Sequence, residues 1–115
     1  MVKATVTNGH YTVGSAYQWD RNHVLEVHGM SVAGVPELHF AHGGLETAVV
    51  QPTTIDASGV LRALIPNDML EQAQSINAYV CTKVGASFQS LLKIVVPVHS
   101  RPRPTDSTEE VDASA

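Results

Sequence analysis

Histidine is the residue type that most invites a test for chemistry in this chain. Six occur among 115 residues, and neutral imidazole is the commonest metal ligand among side chains. His39 and His42 are three apart, as in some metal pairs. On a strand that spacing sends the two rings to opposite faces, so they converge only if the chain turns between them. The run His42-Gly43-Gly44 is such a turn signal. A third ligand would have to come from His28 or His23 across a strand. Zinc needs three or four ligands at fixed distances, often with a closely spaced Cys or His pair. The one cysteine, Cys81, has no such partner and lies in an apolar run, where a buried, inert thiol is expected. Exposed strand histidines are the simpler account, with no metal and no cofactor.

Other chemistries find less. No Gly-x-Ser-x-Gly elbow occurs, and Ser, His and Asp in one chain do not make a triad. Gly43-Gly44 lacks the Lys and helix that follow in a phosphate loop. The acidic residues Asp20, Glu26, Glu37, Glu46, Asp56, Asp68 and Glu71 fall at strand edges and turns, where solvated surface is expected. No catalytic residue is assigned. Aromatic residues are few: one Trp, three Tyr and two Phe. Trp19 precedes Asp20-Arg21-Asn22 and reads as an anchor at the edge of the core, under a loop. Trp19, His39 and His42 are the candidates for a loop binding site.

The elements that would carry these residues are strands. Val2, Ala4 and Val6 alternate with Lys3, Thr5 and Thr7, and the same period-two pattern recurs at Val24–His28 and Glu37–Phe40. Alternation of this kind is what a half-buried strand requires. Further strands are expected at Glu46–Gln51, Gly59–Ile65, Ile76–Val84 and Ser87–Val98. Turn residues separate them at Asn8-Gly9, His42-Gly43-Gly44, Asp56-Ala57-Ser58-Gly59 and Val84-Gly85-Ala86. One short helical turn is expected near 67–73, capped by Asn67 or Asp68 with Glu71 reaching back. Seven to nine short strands at this spacing predict an all-β antiparallel sandwich, immunoglobulin-like in architecture, without the disulfide and tryptophan spacing of an antibody domain.

Bulk properties bound the function. The length fits one domain, residues 1–98, and the apolar fraction of 43% is enough for a core. Net charge is −4, which argues against nucleic acid and against an anionic membrane surface as partners. The amino-terminal residues are too polar for a signal peptide, and no apolar stretch approaches a membrane span. A soluble protein made in the cytoplasm is expected.

The segment after Val98 is of another kind. His99-Ser100-Arg101-Pro102-Arg103-Pro104 leads into an acidic, Ser/Thr-rich stretch, so 99–115 is read as a tail. Alternating Arg and Pro cannot form a helix or donate a full ladder of backbone hydrogen bonds. Polyproline-like geometry is the alternative. Arg101, Pro102, Arg103 and Pro104 are the candidate docking residues, with the guanidinium forks suited to carboxylates on a partner.

Several segments in order carry a resemblance. They are Gln18-Trp19-Asp20, Leu25-Glu26-Val27, Pro36-Glu37-Leu38-His39-Phe40, Ile65-Pro66-Asn67 with Leu70, Ile76-Asn77-Ala78-Tyr79-Val80, Ile94-Val95-Val96-Pro97-Val98, and Arg101 to Asp106. Taken together, over roughly residues 17 to 106, they resemble small domains of tail, baseplate or fibre proteins in tailed bacteriophages and prophages of Gram-positive bacteria. The resemblance implies a β-sandwich whose Arg-Pro-x-Pro run leads into fibre or linker segments. Here the chain stops about ten residues later, which favours a standalone virion component: an adaptor, a head-fibre base or a capsid decoration protein. The implied partners are other virion proteins and further copies of the chain, and the implied location is the virion. The alternative from another class is a host cell-surface glycan-binding module of a phage tail.

Overall fold

A computed structural model describes residues 1–32, 34–43 and 47–105. The chain forms β1 (Val2–Thr7), β2 (His10–Val13), β3 (Ala16–Tyr17), β4 (Val24–His28), β5 (Val35–His42), β6 (Val49–Pro52), β7 (Thr54–Ile55) and β8 (Leu61–Leu64). A 3-10 turn at Asn67–Glu71 follows, then β9 (Ile76–Val84), β10 (Ser87–Val96) and β11 (Val98–His99). Eleven strands are seen among the described residues, but β3, β7 and β11 have two residues each, which leaves eight of four or more.

Two sheets make the sandwich. One has the order β2-β1-β4-β8-β7 and the other β10-β9-β5-β6. Apart from β2, which adds a strand outside β1, the orders β1-β4-β8-β7 and β10-β9-β5-β6 follow those of the ABED and GFCC′ sheets of an immunoglobulin-like sandwich, although β1 runs parallel to β4. The antiparallel expectation holds for six of the eight strand pairings. The exceptions are β1 with β4 and β11 with β3, both parallel. Period-two patterning sets which face a strand buries, but both directions bury the same face, so it cannot signal these two pairings.

The core lies between the sheets. Val2, Ala4, Leu25, Val27, Leu61 and Ala63 face Leu38, Phe40, Ile76, Ala78, Val80, Ile94 and Val96, all of them buried. Each of the larger side chains contributes roughly 1.5–3 kcal/mol by leaving water. Local chemistry fixes the reversals. Asn8 and Gly9, both at positive φ, close the β1–β2 hairpin, the combination a type I′ turn demands. Asp56 closes the β7–β8 turn, its Oδ1 accepting the N–H groups of Ser58 and Val60 at 2.8 and 3.0 Å.

Four expectations need correction. The strand begun at Glu46 starts at Val49 among the described residues, and Gly44 and Glu46 lie outside them. The strand expected to run to Val98 stops at Val96 and is followed by β11, so the domain boundary drawn after Val98 falls inside a strand. The short helical turn expected near 67–73 is present as the 3-10 turn, but it lacks the expected side-chain cap. Asn67 does not cap it, because its Oδ1 instead accepts the Asn22 N–H at 2.9 Å.

A candidate attachment site where the chain leaves the sandwich

The C-terminal exit is held against the segment that follows β3. Pro97 and His99 carbonyls accept the N–H groups of Ala16 and Gln18 at 2.9 and 2.7 Å, which makes β11 a parallel partner of β3. The Tyr17 and His99 rings stand 5.3 Å apart, tilted. Beyond them Arg103 turns back, its guanidinium carbon 5.1 Å from the centroid of the Trp19 ring. A cation at this distance from an indole face is attracted by the ring quadrupole.

Trp19 is placed by its neighbours. It has φ of 75°, a region that costs a bulky L-residue free energy and persists only where surroundings enforce it. Its N–H donates to the Leu70 carbonyl at 2.7 Å. Gln18 Nε2 donates to the Glu71 carbonyl at 2.9 Å, and the Tyr17 N–H donates to Asp20 Oδ2 at 3.0 Å. The turn carrying Trp19 is thus fastened to the 3-10 turn, and the indole is left half-buried at the rim. Ser100 to Thr105 are exposed and without regular structure. Among the described residues Arg101 makes no ion pair, and Arg103 is engaged by Trp19 rather than by a carboxylate. The acidic Ser/Thr-rich part of the tail lies outside the described residues.

The two candidate histidines do not converge on Trp19 or on each other. His39 projects from the outer face of the β10-β9-β5-β6 sheet, where its Nε2 is 3.0 Å from Glu37 Oε1 and its ring meets Phe88 edge-on at 5.5 Å. His42 is buried. Its Nε2 lies 3.0 Å from the Met69 carbonyl, and since a carbonyl only accepts, Nε2 carries the proton. The expectation of exposed strand histidines is wrong for this residue. His42 ties β5 to the 3-10 turn.

His28 and His23, the two suggested third ligands, are elsewhere. His28 Nε2 is 3.1 Å from Glu26 Oε1. His23 sits with Asp20 Oδ2 at 3.5 Å and the Met1 amino nitrogen at 2.6 Å. Burial first, and then that positive amino group, lower its pKa, with Asp20 opposing them. Among the described residues no group of three or more His, Cys, Asp or Glu side chains is arranged to hold a metal.

A second charged cluster escaped the sequence reading. Glu26 is only 8% exposed, although its strand position faces away from the core. Arg62 Nε donates to Glu26 Oε2 at 2.8 Å, and Arg62 Nη1 to Asp56 Oδ2 at 2.7 Å. The guanidinium holds both carboxyls below the usual carboxylate range, helped by His28 at Glu26 and by the Val60 N–H at Asp56. Glu26 and Asp56 were expected to be solvated separately. The signal available was the pairing of Glu26 with Arg62, which becomes visible only once β4 and β8 are known to be neighbours. Beside Arg62 a shallow apolar cleft of about 330 Å³ is lined by Val24, Gln51, Pro52, Thr54, Ala63 and Leu64. None of the residues singled out for binding reaches it.

No protein-family model matches the chain, and no curated protein matches it.

Proposed function

We propose that the protein is a non-enzymatic structural component of a tailed-bacteriophage particle, in the head or the tail, which attaches to a larger virion protein through its C-terminal exit. The observation that carries this reading is the fastening of the exit itself. β11 and the Arg103–Trp19 contact fix the start of the exit while Arg101–Thr105 stay exposed. An attachment segment whose start is fixed loses less conformational entropy on binding than a free one. Arg101 is the residue offered to an acidic partner, and Arg103 sets the path.

The rival reading, glycan binding at Trp19, loses support from the same contact. A sugar stacks on an open aromatic face, and one face of this indole already holds a guanidinium.

The test is mass spectrometry of purified particles from the phage or induced prophage that encodes the chain. The protein should be present at a fixed copy number, large for a capsid lattice and small for a tail tip. Particles from which it is missing overturn the proposal. A signal above background on a glycan array, lost in Trp19→Ala, would favour the rival.

A further inference from the structure

The two sheets present four outer edges, and three of them are blunted. β7 has two residues. β6 has four, ends in Pro52, and its Gln51 side chain folds across to donate to the Leu64 carbonyl at 2.8 Å. β2 has four, and its Tyr11 reaches over to β10, where the hydroxyl accepts the Val95 N–H at 3.0 Å. Tyr11 therefore closes the C-terminal half of the β10 edge as well. The N-terminal half, Ser87–Leu92, has no such cover among the described residues, and Ser87 to Leu91 are all exposed.

Exposed edges are normally guarded by Lys, Glu or Pro, because unpaired backbone groups recruit another strand. Ser87-Phe88-Gln89-Ser90-Leu91-Leu92 contains none of these, and the next charge is Lys93. Apolar groups are clustered there instead: Val84, Phe88 and Leu91 are 64%, 54% and 39% exposed. Phe88 on β10 meets the His39 ring on β5 edge-on at 5.5 Å, so it leans inward across β9, where the Lys83 ammonium stands 5.6 Å from its centroid, and leaves the backbone edge itself open.

We propose that Ser87–Ser90 pairs antiparallel with the same segment of a second copy, which joins two four-stranded sheets into one eight-stranded sheet. The occupant must be a strand, because what the edge offers is a row of backbone donors and acceptors. A second copy fits for two reasons. The segment is uncharged, so identical segments approach without like charges opposed even though each chain carries −4 overall. Antiparallel self-pairing is also twofold and self-complementary, so it closes as a dimer rather than extending into a fibre. The bulge at Leu91, between Ser90 and Leu92, bends the edge at the C-terminal end of this segment, so the pairing runs through Ser87–Ser90 and ends there. This inference concerns a different part of the molecule from the C-terminal exit, and either can fail alone.

Sedimentation velocity and amide hydrogen exchange of the full chain, from low to high micromolar concentration, test it together. A dimer should accumulate with concentration, and amide protection should rise over Ser87–Ser90. The Val95 amide, already bonded to Tyr11, should not change. Phe88→Glu and Leu91→Lys, each confirmed folded by circular dichroism, should each weaken the dimer at least about tenfold, or ~1.4 kcal/mol. A monomer throughout the range overturns the proposal, as does concentration-dependent protection at β6 or β7, or a dimer indifferent to both substitutions. Should either variant fail to fold, the exchange pattern of the unaltered chain decides alone.

Discussion

Arg103 lies 5.1 Å over the ring of Trp19, so the last described segment of the chain rests on a residue from the first third of the sequence. The tail beyond β11 is exposed, and this contact is what directs it. Arg103→Ala should cost only ~0.5–1 kcal/mol of stability, the usual size of an exposed cation–π pair. Its sharper effect should be local. Trp19 is the one tryptophan, so its emission should shift to the red as the indole gains water, and Arg103→Lys should shift it less. Emission unchanged in Arg103→Ala would show that the guanidinium does not hold the ring.

Gly29 and Gly9 separate two costs that are usually confounded. Both have positive φ, 87° and 79°, but a Cβ on Gly29 would fall 2.3 Å from the Val6 carbonyl oxygen, and one on Gly9 would meet nothing within 4 Å. Gly9→Ala should therefore cost the dihedral penalty alone, about 1–2 kcal/mol. Gly29→Ala adds a backbone clash that only movement of β1 or β4 relieves, and should exceed about 3 kcal/mol. Urea unfolding of both variants checks the ordering, and equal losses would contradict the close approach of β1 to the end of β4.

Acid should destabilise the fold in two steps. The folded pKa of His23 is lowered, chiefly by burial, so the folded state favours the neutral ring. Its contribution is complete above the ordinary histidine value, near ~6.5, and is lost as pH falls from there towards the folded pKa. Glu26 and Asp56 also have lowered folded pKa values, chiefly through Arg62. Their contribution is complete above the ordinary carboxyl values, near ~4, and is lost as pH falls through the folded ones. His23→Gln should remove the upper step. Arg62→Ala should lower stability at neutral pH and flatten the lower step, so that variant and parent converge in strong acid. Thermal unfolding between pH 8 and pH 2 measures both, and parallel curves for parent and Arg62→Ala would refute the lower assignment.

The contrast between Glu26 and Leu25 shows where the sequence was legible. Alternation alone put Leu25 and Val27 in the core and marked Glu26 as outward-facing, and all three face as expected. Burial of Glu26 depended on a partner 36 residues away, which no local pattern encodes. The turn at Asp56–Gly59 was readable because its hydrogen bonds are internal to the five residues from Asp56 to Val60. The parallel pairing of β1 with β4 was not, since strand direction leaves no trace in side-chain period. Likewise, Trp19 and the Arg-Pro run were both singled out, but as separate features. Their contact needed β11 to lie beside β3, and a two-residue strand is too short to carry a pattern.

His42 provides the test of whether its imidazole serves structure or metal. The ring is 8% exposed, its Nε2 donates to the Met69 carbonyl at 3.0 Å, and Met69 is itself 7% exposed. Removing the donor leaves a buried carbonyl unpaired, a cost of roughly 1–3 kcal/mol before any cavity is counted. His42→Ala should therefore destabilise the protein by at least that much. His42→Gln retains an N–H of similar reach and should recover part of the loss. Zinc and chelator should leave the unfolding midpoint of the parent unchanged, because although Nδ1 keeps a lone pair, no group of three or more His, Cys, Asp or Glu among the described residues is arranged to hold a metal. A midpoint that rises with zinc in the parent and not in His42→Gln would overturn the assignment.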